Sequence, residues 1–388
     1  MKPAAATAWE RESNVVFDEE VGYQDRFIDP VAGVRPLRLT TLPFGNAHIY
    51  PEAPVSTQDG RCFVFARHHP PCGFRTFWVA DMATLSIRQV TDEPDATPPA
   101  FALDGSVLYY TGQSKVWRMV PGDFRREEVC DLPDDVVLKS TASTISSCGT
   151  RLACAASNGE RVGALVVDLS TGHSALTISH PDAHNVHVQY CRGPGRLLLV
   201  QINHGIERDA AGNITRLAGD LGCALEVMQD DGTRVAVLPM GRSPLERVQG
   251  HQCWLGGEEK VISALHVRDS IEAPWHQHRI GVARVGAETY DVVCEGTHEA
   301  FTHIHTTRDG RYWVSDCNRT GRIYVGSTRT QRYKPFCDSG ASFGAMQLSH
   351  PHPFFLADDA QIGWNSDVTG VNQVYVARIP DAFLDDLQ

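Results

Sequence analysis

Histidines carry the most legible chemistry in this sequence. The tightest group is Gln347-Leu348-Ser349-His350-Pro351-His352-Pro353. In an extended segment, residues i and i+2 point to one face, so His350 and His352 can aim two imidazoles at one point. The two prolines stiffen the segment and withhold backbone donors that a sheet would need. Gln347 falls on the opposite face under strict alternation and joins the pair only if the chain bends. Two converging imidazoles suit a divalent metal; the plainer alternative is a solvated, proline-rich loop. A second pair, His303 and His305, shares a face in Phe301-Thr302-His303-Ile304-His305, ahead of the Asp309-Gly310 turn. A histidine at such a strand end more often hydrogen-bonds a neighbouring turn. His251 stands alone in Gly250-His251-Gln252-Cys253-Trp254. That setting belongs to a packed histidine more often than to a base.

Other histidines offer less. His276 and His278 are expected in a polar loop without a third ligand, and His68-His69, before two prolines, in a solvated loop. The sequence holds no GxSxG elbow, no glycine-rich phosphate loop and no paired-carboxylate motif.

The elements that must position these residues are strands. Asp59-Gly60 leads into Cys62-Phe63-Val64-Phe65, Asp104-Gly105 into Val107-Leu108-Tyr109-Tyr110, and Cys148-Gly149 into Leu152-Ala153-Cys154. Asp231-Gly232 and Asp309-Gly310 precede similar runs. The first three turns are 45 and 44 residues apart, and the next gap, 83, is close to two such periods. A second pattern, strand, aspartate, turn, strand, recurs at Thr76–Asp81 and Ala164–Asp168, and Gln373–Ala377 supplies a closing strand. Strands with Asp-Gly turns repeating at this period are the mark of a propeller blade. At about 45–50 residues per blade, the chain accommodates seven blades plus an N-terminal strand, with six and eight as the neighbouring counts. The expected architecture is therefore all-β, a seven-bladed β-propeller in a single domain over residues 1–388, with an N-terminal extension over about residues 1–25. The segment Gly45–Tyr50 is expected to lead into the first blade, and a ligand site to lie at the central channel.

Composition narrows the function classes. The 388 residues are 42% hydrophobic and 21% charged, enough to fill a core. With 35 Lys+Arg against 47 Asp+Glu, the net charge of -12 repels phosphate backbones and argues against nucleic acid. An anionic ligand would need a local positive site or a metal. No apolar stretch reaches the length of a membrane span, and the N-terminal residues lack the apolar core of a secretory signal. The 11 cysteines are scattered without a CxxC pair, so neither a zinc knuckle nor a disulfide framework is expected. A cytoplasmic location follows from these features as an expectation.

Taken together, the segments resemble the oligogalacturonate lyase family of propellers. The resemblance runs from Asp29-Pro30-Val31-Ala32-Gly33-Val34 through the blade turns to Asn365-Ser366-Asp367-Val368-Thr369-Gly370. Its specific parts are Gln347, His350 and His352 in a QxxHxH pattern, a histidine ahead of an Asp-Gly turn, and a GHxxW motif at Gly250–Trp254. Distance to the turn selects His303 over His305 for the second of these. One region departs from the family. Asn203-His204-Gly205-Ile206-Glu207-Arg208 stands where its members carry His-Glu-Gly-Pro, and Gly222-Cys223-Ala224-Leu225 stands where an arginine is expected. Such an arginine would clamp a carboxylate in bidentate fashion. Arg208 and Arg216 are the candidates to replace it, with His204 as a further substrate-binding residue.

The resemblance implies a lyase that cleaves short oligogalacturonides by β-elimination. It implies a divalent cation, manganese, on His303, Gln347, His350 and His352, with His251 as the base that removes the C5 proton. Ligand chemistry alone leaves zinc, iron and manganese open. A cation would also explain how so acidic a chain holds an acidic oligosaccharide. The competing readings are an eliminase or hydrolase for another acidic glycoside, and a non-catalytic propeller that binds partners.

Overall fold

The structure, a computed structural model, describes residues 18–25, 33–50, 54–69, 74–159, 161–180, 184–211, 214–216, 222–296, 298–344 and 347–388. The first part of the Asp29–Val34 stretch, up to Ala32, lies outside them, as do residues 1–17 of the expected N-terminal extension.

Seven antiparallel sheets of at least four strands form the ring of a seven-bladed propeller. In blades 2 to 6 the first strand in sequence lies at the inner edge, as Gly45–His48 does in blade 1. Blade 1 is built from Gly45–His48, Cys62–His69, Phe74–Asp81 and Ser86–Gln89. Blade 5 is built from Glu246–Trp254, Lys260–Val267, Gln277–Arg284 and Asp291–Gly296. Blade 6 runs from Phe301–Thr306 through Tyr312–Cys317 and Arg322–Ser327 to Tyr333–Asp338. Two N-terminal strands serve different blades. Asp18–Glu20 pairs with Ser86–Arg88 as a fifth strand on blade 1. Leu37–Arg38 then pairs with Tyr375–Val376 and supplies the outer strand of blade 7, which also contains Phe354–Phe355, Gln361–Ser366 and Gln373–Arg378. The ring is thus closed by joining its two ends, and Thr40 reinforces the seam by donating to the Gln373 side chain at 2.6 Å.

Local chemistry explains the turns. The glycines of the 59–60, 104–105 and 309–310 turns have φ of +65°, +72° and +68°, a conformation in which a Cβ is disfavoured. Their aspartates accept hydrogen bonds from the backbone two residues on, at Arg61, Ser106 and Arg311. Asp81 and Asp168 do the same for the turns that follow their strands, accepting from Ala83 and Ser170 at 2.9 Å each.

One turn is not where its spacing suggested. Asp231-Gly232 joins the third and fourth strands of blade 4, Cys223–Gln229 and Arg234–Val237, whereas the other four join first to second strands. Blade 4 makes its first turn at Arg192–Arg196, and a two-stranded hairpin, Glu207–Arg208 with Ile214–Arg216, is inserted between its second and third strands. The insertion, not a doubled period, sets the 83-residue gap.

The core is distributed between blades. Tyr312, Val314, Ile323 and Phe336 of blade 6 pack with Ile362, Trp364 and Tyr375 of blade 7, and comparable apolar clusters fill the other junctions. Ten cysteines are free among the described residues, most of them buried. Among the described residues no helix is long and apolar enough to cross a membrane.

Candidate metal centre and adjoining cavity

The wall of a cavity of about 1110 Å³ includes Tyr50, His251, His303 and His350. Its lining draws on blades 1, 4, 5 and 6 and on the segment leading into blade 7. The innermost strand of blade 6 brings His303, and the segment leading into blade 7 brings His350 and His352. Ligand-capable atoms of these three residues lie within 4.8 Å of one another.

The route by which His350 and His352 meet differs from simple alternation. Gln347–Ser349 forms a short 3-10 turn and His352 has φ of +46°, so the segment is bent rather than extended. Left-handed backbone is uncommon outside glycine, although histidine adopts it more readily than most residues. The rings nevertheless face one another, with centroids 5.8 Å apart. Gln347 opens the bend that its participation required; its side chain lies outside the described residues.

Hydrogen bonding sets which nitrogen each histidine can offer. Nδ1 of His303 pairs with Oδ2 of Asp316 at 2.7 Å, which leaves Nε2 with its lone pair. Nδ1 of His352 donates to the His350 carbonyl at 3.0 Å, and its Nε2 is buried without a partner. Nε2 of His350 donates to the Gly344 carbonyl at 3.1 Å, freeing Nδ1. Three imidazoles with one N–H engaged and one lone pair free are the donor set a divalent cation takes. An orphaned, buried Nε2 on His352 is otherwise a cost. The residues present therefore fit a metal. Burial, then the charges of neighbouring histidines, holds His303 and His352 well below the ordinary histidine range, so both are neutral and able to ligate.

Asp316 was not singled out from the sequence. It is fully buried on the second strand of blade 6 and also accepts from the His303 and His352 backbone N–H groups, at 2.9 and 3.2 Å. The one available signal was a charged residue inside the apolar run Trp313-Val314-Ser315-Asp316-Cys317.

His251 sits beside this cluster, its ring centroid 4.1 Å from that of His303. A bulge between Val248 and Gln252 interrupts the pairing of its strand, and Gly250 within it has φ of +81°. Such bulges re-aim a side chain. Tyr50, also absent from the sequence-based candidates, stacks on the His251 ring at 5.7 Å and meets His187 edge-on at 4.9 Å. Burial, then the His303 and His187 charges, lowers the His251 pKa well below 6.5, while Asp316 opposes the shift. The free base is thus neutral at neutral pH but weaker than an unperturbed imidazole.

His305 is buried and does not line the cavity. Its Nε2 meets Arg192 of blade 4 at 2.6 Å, and its Nδ1 accepts the Phe355 N–H at 3.2 Å. Of the residues flanking the departure from the family, Arg216 lines the cavity and pairs with Glu207 at 2.8 Å. His204 and Arg208 are not among the residues that line it. Two histidine expectations are corrected. His68 and His69 end a strand, where His69 bonds Thr76 Oγ1 at 2.8 Å, rather than lying in a loop. His278 is a buried strand residue, edge-on to His266 at 4.2 Å, because its neighbour in the ladder is that histidine.

No family model matches the sequence. Two curated proteins share short stretches with it. An oligogalacturonate lyase of Dickeya dadantii is 29% identical over 100 residues, 21% of this chain and 26% of that protein. An oligogalacturonide lyase of Pectobacterium atrosepticum is 33% identical over 64 residues, 16% of each chain. The chain thus matches about a quarter or less of the length of these relatives. Solved structures extend the likeness to the whole fold. An oligogalacturonate lyase in complex with manganese superposes with a TM-score of 0.73 at 18% identity, covering 94% of this chain and 98% of that one. An oligogalacturonate lyase of Vibrio parahaemolyticus gives 0.73 at 16% identity, covering 95% and 99%. The chain resembles oligogalacturonate lyases in short stretches of sequence and shares their seven-bladed fold over nearly its full length.

Proposed function

We propose that the chain is a metal-dependent lyase that cleaves short oligogalacturonides by β-elimination. The observation that carries this reading is the adjacency of a neutral histidine, His251, to a three-histidine cluster on the wall of one large cavity. His303, His350 and His352 would hold the cation, manganese by likeness to the similar structure that contains it, with Gln347 as a fourth ligand. When bound, the cation would neutralise the uronate carboxylate and so make the neighbouring C5 proton more acidic.

The chain's own groups supply the rest. His251 takes the C5 proton, the C–H electron pair becomes the C4–C5 double bond, and the C4–O bond breaks with a proton passing to the departing oxygen. A base must be deprotonated before it can act, and burial keeps His251 so. An anion entering the cavity raises the His251 pKa and strengthens it as an acceptor. Tyr50, stacked on the imidazole, holds the plane of the ring. Arg216, on the cavity wall, would meet substrate charge, with His204 and Arg208 as further candidates from the adjacent segment.

Mass spectrometry of digalacturonate and trigalacturonate incubated with manganese-loaded protein tests this reading. Elimination gives products whose masses sum to that of the substrate. Products heavier by one water mean hydrolysis and reject the mechanism. No turnover by folded, metal-loaded protein points to a different 4-linked uronide, the second reading, favoured by Ala224 where a family arginine is expected. A protein that retains no stoichiometric metal would instead fit a non-catalytic binding propeller.

A further inference from the structure

The cavity wall carries a group that proton removal does not use. Arg247 lies on the innermost strand of blade 5, and Arg268 begins the loop between that blade's second and third strands. Both guanidinium carbons lie over the Trp275 indole, at 4.6 and 4.4 Å from its centroid, within the range of a cation–π contact. Further bonds fix each one. Arg268 donates to the Pro244 carbonyl at 2.8 and 3.0 Å and to the Ile271 carbonyl at 2.5 Å. Arg247 donates to Nδ1 of His266 at 3.3 Å. That bond needs a neutral acceptor, and burial, then the His278 and Arg247 charges, lowers the His266 pKa to about 3.

These arginines differ from others in the chain. Arg67 pairs with Glu19, Arg126 with Asp92 and Glu93, and Arg61 with Asp81. Among the described residues, Arg247 and Arg268 have no carboxylate within ion-pair distance. They are also close to each other and to Arg216: partial burial, then the Arg268 and Arg216 charges, lowers the Arg247 pKa. A chain with 47 acidic residues has placed adjacent cations on a cavity wall without neutralising them. Such an arrangement is unfavourable until an anion completes it. The same cavity holds His251 and His303.

We propose that Arg247 and Arg268, held by Trp275, form a second anion subsite that takes the carboxylate of the uronate adjoining the one cleaved. The identity of the ligand rests on the proposed lyase reading; the anion site rests on the arginines. A galacturonate monomer has one carboxylate and cannot engage both centres. The preferred ligand therefore carries at least two adjacent uronates.

Titration calorimetry on the full chain, manganese-loaded and carrying His251→Asn to prevent turnover, tests the subsite. Digalacturonate is expected to bind more tightly than galacturonate. Adding Arg247→Gln and Arg268→Gln should weaken digalacturonate by roughly tenfold or more, as expected for lost charge-assisted bonds. Galacturonate affinity and metal content should stay unchanged. Arg268→Gln alone gives a smaller loss of the same selectivity and serves if the double variant does not fold. Equal weakening of both ligands, or no weakening of either, overturns the subsite. Arginine-dependent binding of digalacturonate without elimination by the parent chain keeps the subsite and rejects the lyase. Elimination by the parent chain with unchanged KM in the arginine variants does the reverse.

Discussion

The Nδ1 of His303 meets Oδ2 of Asp316 at 2.7 Å inside the second-strand layer of blade 6, and this bond fixes the nitrogen that His303 presents to the cavity. The same carboxylate holds the backbone of His352, so one buried side chain organises two of the three clustered histidines. Replacing Asp316 with Asn keeps the volume and removes the charge. Metal affinity is expected to fall by about 10- to 100-fold, as when other groups that orient metal-bound histidines are lost. A chelator-competition titration measures it. Unchanged affinity would mean that Asp316 only supports the fold.

The proposed base and metal roles predict opposite outcomes on substitution. His251→Asn should leave bound manganese stoichiometric while turnover falls by roughly 10²–10⁴, the usual contribution of a positioned base. His352→Ala removes the orphaned Nε2 and should release the metal itself. Metal analysis and product assays on the two variants give opposite patterns if the assignments hold. Full activity in His251→Asn would exclude it as the base.

What could be read from the sequence was what local chemistry dictates. The Asp-Gly turns at 59–60, 104–105 and 309–310 announce themselves because a left-handed glycine and an aspartate acceptor are needed wherever a strand reverses in this way. The same signature misassigned Asp231-Gly232, since a turn between outer strands uses identical chemistry and an inserted hairpin had shifted the period. His350 and His352 were legible as a pair, but their geometry depends on a left-handed residue that no pattern announced. The meeting of His303 with residues almost fifty positions later is non-local, and only the family resemblance suggested it. Asp316, Arg247 and Trp275 act through tertiary neighbours, His303 for the first and each other for the latter two.

Histidines away from the metal centre predict an acid-sensitive fold. Burial is the first cause at His68, His266 and His278, lowering their pKa values to about 4, 3 and 4 from 6.5. The unfolded chain therefore binds protons that the folded chain refuses. Stability is fully present above about pH 6.5 and declines as pH falls from there toward 4. His278→Gln should flatten that decline. Urea unfolding of metal-free protein at pH 7, 5.5 and 4.5 reads the slope. A slope unchanged by the substitution would show that His278 is not a contributor.

The junction between strands of blade 6 makes a prediction about packing alone. Gly326 pairs across the ladder with Trp313, whose indole is fully buried and lies against it. A Cβ at Gly326 would stand 2.2 Å from Cζ2 and 2.4 Å from Cε2 of the indole, far inside contact distance. The indole can retreat only by pushing on Phe301 and Tyr333, which pack on it at 5.2 and 6.1 Å. Gly326→Ala is therefore expected to cost about 1–3 kcal/mol or more, the range for overpacking a dense core. Phe301 begins the strand that carries His303, so the displaced indole presses toward the metal centre as well as into the core. The variant should lower both the urea midpoint and the metal affinity. A drop in stability with unchanged metal binding would show that blade 6 absorbs the strain before it reaches His303.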